Sequence, residues 1–306
     1  MSSHFFPHGL PLSSRAATRK RSPSATSLAE KIRSRFRWFE GRGRLSETLW
    51  RDVELAASTN INVLIIGETG TGKEVVAKWI HAERRRLHGL GDDDAPFVPI
   101  NCAALPENLV ESILFGHERG AFTSARQVQR GKFEIAKKGS LFLDEIQNLN
   151  LEAQSKLLRV VQSREFERLG AQSTDNVQCQ IITASNVPLE LLIEKNQFRK
   201  DLYYRLNICP IYLPALRARA DDVPGLVQHY LTQICAQHGL PPKDIDDAAF
   251  ALLREHSWPG NLRELEHGLL YASLRAKDNV IRASDLPATL TGEISEYLKT
   301  GTWVWN

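Results

Sequence analysis

The segment Gly67-Glu68-Thr69-Gly70-Thr71-Gly72-Lys73 constrains this chain more than any other. It follows the apolar run 61–66 (INVLII) and precedes a helical stretch over 73–88, so it reads as a glycine-rich turn between a buried strand and a helix. Such a turn suits phosphate. Glycines let successive backbone N–H groups point inward at phosphate oxygens, the helix offers its positive N-terminus, and Lys73 neutralises the terminal charge. Glu74 stands where most loops of this kind place a Ser or Thr ligand for magnesium. Taken alone, the loop is therefore also compatible with a chance glycine-rich turn, and partner motifs have to decide.

The rest of the pattern supplies a frame for such partners. Apolar runs at 97–100, 140–143, 177–184 and 208–213 alternate with helical stretches near 106–115, 151–163 and 188–194, after a first helix over 45–57. Continuous apolar strands separated by helices predict an α/β body with a parallel sheet covered on both faces. Beyond 213 only helices are expected, at about 221–237, 245–256 and 261–276, which predicts a small all-α lid hinged at Leu216–Ala220. The expected divisions are a leader over 1–40, the α/β body over 41–215, the lid over 216–290 and a tail over 291–306.

A second strand ends in Asp144-Glu145, delivering two carboxylates to the sheet edge that carries the phosphate loop. Asp144 suits Mg2+, held largely through water, and Glu145 suits a general base that polarises the attacking water. An exposed acid pair at a strand end is the plain alternative, but both motifs in order point to a P-loop ATPase. A third strand ends in Ser185-Asn186, where a polar side chain can orient water or sense a γ-phosphate; alone it would be an ordinary strand-to-turn residue. Asn261, with Glu264 three residues on, is the expected N-cap of the next helix. Arg263 then sits in that helix's first turn, a poor place for a cation unless an anion lies opposite. Arg199 and Arg205, six apart on a short helix, could supply an arginine to a γ-phosphate, or simply face solvent.

Charge and composition limit the alternatives. Ten cations oppose two acids between residues 1 and 44, in a chain whose net charge is only +3. This leader reads as a solvated, disordered arm, with a nucleic-acid contact as the sharper alternative, although Leu28, Ile32, Phe36 and Phe39 could line a basic helix over 27–40. No apolar run approaches the roughly 18 residues of a membrane span. The four cysteines are scattered without a C-x-x-C pair, as in a reduced cytosolic protein.

With these residues in view, the chain resembles the AAA+ central domain of bacterial sigma-54-dependent transcriptional activators over about residues 45–290. The resemblance rests on GETGTGKE (67–74), INCAAL (100–105), FGHERGAFTSA (115–125), GSLFLDEI (139–146), FRKDLYYRL (198–206), LPALRAR (213–219) and WPGNLRELE (258–266). It implies ATP and Mg2+ as ligands, with Glu74 as the family's own residue after the lysine. It further implies that Asn101 restrains Glu145, that Ser185 and Asn186 form a first sensor and Arg263 a second, and that Arg199 and Arg205 reach into the next subunit of a ring, usually a homohexamer. The loop Gly120-Ala121-Phe122-Thr123-Ser124-Ala125 is implied to touch sigma-54 in the RNA polymerase holoenzyme. In it Ser124 replaces the family's second glycine, which makes a regulatory or scaffold oligomer without sigma-54 coupling the alternative function. Gln180, where the family commonly has arginine, is a second departure. Only about 16 residues follow the lid, too few for a helix-turn-helix, so a DNA-binding or regulatory partner is the corresponding expectation.

Overall fold

The computed structural model describes residues 44–123 and 125–291. The basic leader, the helix expected over 27–40, Ser124 and the tail with Trp303 and Trp305 lie outside the described residues. Five parallel strands form the central sheet: β1 (Val63–Ile66), β2 (Phe97–Asn101), β3 (Ser140–Asp144), β4 (Gln180–Ser185) and β5 (Cys209–Tyr212), in the spatial order β2-β3-β4-β1-β5. Buried side chains alternate between the two faces of the sheet. Leu64, Leu141, Leu143 and Ile181 point to one face, and Val63, Ile65, Phe142 and Ile182 to the other. Because both faces are apolar, a slip by one residue would leave the core unchanged in polarity but not in shape, and helices on both sides set the fit.

On the second face pack α1 (Arg44–Ser58) and α2 (Lys73–His88), through Leu49, Val53 and Ala56 of the first and Val76, Trp79 and Ile80 of the second. The Trp50 and Trp79 rings meet edge to face between them. The opposite face is covered by α3 (Val110–Phe115), α4 (Leu151–Ser163) and α5 (Lys200–Leu206). Helix α4 begins at Asn150, whose side chain accepts from the Ala153 N–H at 2.9 Å. Gln180 is buried in β4 and donates to the Ala56 carbonyl at 2.6 Å. It stands among Arg84, which donates to the Thr59 carbonyl at 2.7 Å, and Arg164, which donates to the Asn60 carbonyl at 2.8 Å. The glutamine thus closes the turn between α1 and β1, which accounts for a neutral donor at that position.

A third buried cluster begins at Leu216. It joins two short 3-10 turns over Leu216–Asp222, separated by a kink at Arg219 (φ −138°, ψ 46°), to α6 (Val223–His238), α7 (Asp247–Glu255) and α8 (Asn261–Arg275). The sequence reading missed two small hairpins: Gly116–His117 with Gln129–Arg130, and Glu165–Glu167 with Thr174–Asn176.

Beneath the sheet, His81 of α2 is 5% exposed and shares a 3.0 Å hydrogen bond with Ser140 Oγ. Burial, followed by the charges of Arg85 and Arg84, pushes its imidazole down to about 4 from 6.5. The unfolded chain therefore binds a proton that the folded chain refuses between those pH values. Stability is complete above pH 6.5 and falls as pH drops toward 4, by at most about 3 kcal/mol from this group. Urea denaturation at pH 7 and pH 4.5 should show a smaller loss for His81→Asn than for the wild type; equal losses would refute the assignment.

Candidate nucleotide site

Strands β3, β4 and β1 lie side by side, so the loops leaving their C-terminal ends meet at one edge, where ligands of open α/β sheets bind. The loop after β1 is held by its own side chains. Lys73, only 8% exposed, donates from Nζ to the carbonyls of Gly67 (2.7 Å) and Glu68 (3.0 Å), and Thr71 Oγ1 donates to Glu68 O at 2.8 Å. Gly70 (φ +81°) and Gly72 (φ +99°) take conformations closed to most L residues. A Cβ on Gly70 would also lie 2.2 Å from the Gly260 carbonyl, so a lid loop packs directly on the phosphate loop.

Asp144 ends β3 beside Asn101 of β2, and its Oδ1 accepts the Glu145 N–H at 2.9 Å. Glu145 itself is left-handed (φ +52°), a strained state for a side-chain-bearing residue, costing roughly 1 kcal/mol. Its Oε2 accepts from Asn148 Nδ2 at 3.3 Å, whereas Asn101 Oδ1 accepts from the Ala103 N–H at 2.8 Å. Asn101 is thus near the acid pair in register while its side chain caps its own turn. Burial raises the Asp144 carboxyl and lowers the Lys73 ammonium, outweighing their mutual attraction. Both charges are therefore under-compensated within the protein, a state that a phosphate beside Lys73 and a cation beside Asp144 would relieve. Cys102 is pushed up to about 12 by burial, then by Asp144 and Glu145, and is inert.

The donor set fits magnesium. Among the described residues no three His, Cys, Asp or Glu side chains could close around a metal. Asp144 offers one carboxylate, which would suit a hard cation that draws its remaining ligands from water and phosphate. Glu74, in the first turn of α2, pairs instead with Lys78 at 2.6 Å.

Between the acid loop and the phosphate loop, Asn186 follows β4. Its Oδ1 accepts from Gln147 Nε2 at 2.8 Å, and its Nδ2 lies 3.4 Å from Thr69 Oγ1. Ser185 is fully buried, with Oγ donating to the Val187 carbonyl at 2.6 Å, so of this pair Asn186 is the residue facing the loop.

At the lid, one expectation is corrected. Asn261 is not the N-cap of α8; Gly260 is, and Glu264 Oε2 accepts the Gly260 N–H at 2.8 Å. Asn261 instead sits left-handed (φ +53°) and fully buried. Its Oδ1 accepts the Leu216 N–H at 2.7 Å and its Nδ2 donates to Thr69 O at 3.0 Å, while the Leu262 N–H donates to Gly70 O at 3.0 Å. Local capping logic loses here to three tertiary hydrogen bonds that join phosphate loop, hinge and lid. Glu68 adds a fourth tie, bidentate to Arg217, and its carboxyl is lowered to about 2 by Arg217 and then Asn261. Asn261→Ala would orphan a buried N–H and a buried carbonyl, and should lower unfolding stability by about 2–4 kcal/mol. Nucleotide affinity should fall with it; a denaturant midpoint within error of the wild type would contradict this reading. Arg263 is exposed on the same turn and makes no salt bridge to Glu264 or Glu266. Its charge is felt at both Lys73 and Asp144.

Away from the site, the chain continues from Asn101 through Cys102–Ala104 and α3 into a loop that begins at Glu118. Gly120 (φ +85°) and Ala125 close it through Gly120 N–H to Ala125 O at 2.8 Å. The Phe122 ring packs edge to face on His117 at 4.9 Å. The second hairpin supports its base: the Glu118 N–H donates to Leu169 O and the Leu169 N–H to Gly116 O, both at 2.9 Å. Arg168 bridges Glu118 (2.8 Å) and Glu134 (3.0 Å).

A family model for the sigma-54 interaction domain matches residues 40–212, more than half of the chain. The chain belongs to this sigma-54 interaction family. A model for an AAA+ ATPase lid domain matches residues 217–300. Relatives include the transcriptional regulator NtrC of Bradyrhizobium sp. (strain RP501 Parasponia), 42% identical over 82% of this chain and 51% of its own length. The sigma-54-dependent activator SfnR of Pseudomonas putida is 44% identical over 86% of this chain and 70% of its own. Among solved structures, NtrX from Brucella abortus in complex with ADP superposes with a TM-score of 0.73 at 34% identity, covering 86% of this chain and 58% of that one. The chain thus spans about half the length of NtrC. At family level this is a nucleotide-binding AAA+ ATPase domain of transcription regulators, and among the described residues no helix is long and apolar enough to cross a membrane.

In this sigma-54 interaction domain the two finger candidates differ in setting. Arg199 caps α5 and is held by Asp201 at 2.7 Å, while Arg205 is exposed near the end of the helix and makes no salt bridge among the described residues. Neither side chain bonds to the phosphate loop of its own chain. Residues to which sequence reasoning gave no individual role are Gln147, Asn148 and Arg217; Gln147 and Arg217 meet Asn186 and Glu68 only in three dimensions, and Asn148 meets Glu145 within one turn.

Proposed function

We propose that this chain hydrolyses ATP with Mg2+ and uses the cycle, as a ring of identical subunits, to remodel the sigma-54 RNA polymerase closed complex. The observation that carries the reading is the convergence of Lys73, Asp144, Glu145, Asn186 and Arg263 at one sheet edge. Lys73 and the loop N–H groups bind the β- and γ-phosphates, and Arg263 closes on them from the lid. Asp144 would hold Mg2+ through water, and the bound ion would supply neutralisation of the charge that develops on the phosphates. Glu145 takes the proton of the attacking water, with Asn101 restraining it in one nucleotide state and Asn148 in another. Arg199 and Arg205 complete the site of the neighbouring subunit, probing its γ-phosphate. The path from Asn101 through α3 to the loop at 118–125 carries the change outward, so that Phe122 leaves His117 for sigma-54. Such a role belongs to the bacterial cytoplasm, and the basic leader offers one surface for a contact with DNA.

Support for ATP comes also from NtrX, whose solved structures include an ATP complex. The test is capture of purified sigma-54 by the full chain with ADP and aluminium fluoride. Capture is expected with the analogue, none with ADP alone, and none for Phe122→Ala. Capture only after Ser124→Gly would instead mark an oligomer that has lost coupling, and no capture by either protein would overturn the sigma-54 reading.

A further inference from the structure

Gln147 carries the inference. It lies in the one-turn segment Ile146–Asn148 that follows Glu145, and that turn is anchored by Ile146, which is fully buried. Gln147 is half-buried, yet its Oε1 is buried with no hydrogen-bond partner among the described residues, while Nε2 is committed to Asn186 Oδ1 at 2.8 Å. An orphaned buried acceptor costs stability, so the use of this side chain lies in the one bond it does make. What it does do is define the neighbouring amide. Asn186 has two faces, a donor and an acceptor, and only the donor face can bond to a phosphate oxygen. With Oδ1 occupied by Gln147, Nδ2 is the group turned toward the phosphate loop, 3.4 Å from Thr69 Oγ1. Turning Asn186 over alone would set two NH2 groups against each other. Turning both amides over would exchange an orphaned carbonyl for an orphaned N–H, the rarer state in folded proteins.

We infer that Gln147 is the positioning residue of the γ-phosphate sensor, holding the Asn186 amide with its donor face toward the terminal phosphate. Because Gln147 shares a rigid turn with Glu145, the sensor amide and the general base keep a fixed relation, and a displacement of one moves the other. The inference rests on reading Asn186 as the sensor, and the experiment separates the two.

The measurement is the affinity of the full chain for a non-hydrolysable ATP analogue and for ADP, by fluorescence titration. Gln147→Glu is nearly isosteric but only accepts, so it must draw the Asn186 NH2 to itself and turn Oδ1 to the phosphate. It should weaken analogue binding roughly ten-fold or more while ADP affinity changes less than about two-fold, the range of a charge-assisted hydrogen bond. Gln147→Leu, which adds no charge, should reduce the analogue-to-ADP preference about three-fold, and should add nothing in an Asn186→Ala background, as residues acting through one contact do. The thermal midpoint of Gln147→Leu reports folding independently and should stay near that of the wild type. Wild-type nucleotide preference in both Gln147 variants, with preference lost in Asn186→Ala, overturns the inference and leaves the sensor standing. Unchanged preference in Asn186→Ala removes the sensor reading and this inference with it.

Discussion

Glu145→Gln is expected to stop ATP turnover while ATP remains bound. The substitution keeps size and leaves Asn148 Nδ2 an oxygen to donate to, so the left-handed turn at Glu145 survives. It also leaves in place Lys73 and Asp144, the residues proposed to hold phosphate and metal. What disappears is the carboxylate proposed to take a proton from water, a contribution of about 10²–10⁴ in rate. Single-turnover phosphate release should therefore fall by at least two orders of magnitude, while a fluorescent-ATP titration gives a dissociation constant within a few-fold of the wild type. A wild-type rate would mean that Glu145 is not the base, and loss of binding would mean that the turn had collapsed.

Arg205→Ala should reduce turnover about as severely, because an arginine on the γ-phosphate is worth about 10³–10⁵ in rate. The reason to choose Arg205 over Arg199 is structural: Arg199 is held by Asp201, whereas Arg205 is exposed and makes no salt bridge among the described residues. The decisive form of the experiment is a mixture. Glu145→Gln and Arg205→Ala chains, each inactive, should regain activity when combined, since a site can then take Glu145 from one subunit and Arg205 from its neighbour. Random assembly makes about a quarter of the interfaces competent. A mixture that stays inactive would show that the arginine acts within its own subunit or not at all.

The sheet was legible because its strands are continuous apolar runs ending in chemistry: INVLII before the phosphate loop, SLFL before Asp144, IITA before Ser185. Such runs signal burial on both faces without tertiary information. The lid helix was legible in extent but not in function. Asn261 followed by Glu264 satisfies the local rule for a cap, and nothing local reveals that its amide is claimed by Leu216, 45 residues earlier, and by Thr69. The same limit hid Gln147, whose partner lies 39 residues away, and Arg217, whose partner is Glu68. The hairpin at 165–176 escaped because its three-residue strands are too short and too polar to show an alternating pattern. Fold is written in periodicity; the wiring between strand ends is written only in space.

The bonds from Asn261 and Leu262 to the carbonyls of Thr69 and Gly70 bear on how this chain can be cut. Two of the carbonyls that shape the phosphate loop are satisfied by the lid helix, so a fragment ending near residue 215 would release those carbonyls to solvent. It would also lift the Gly260 carbonyl from the surface of Gly70. The α/β body therefore does not own its nucleotide loop outright. The smallest piece expected to bind nucleotide tightly runs through Arg275, and proteolysis at the hinge should be slowed by nucleotide.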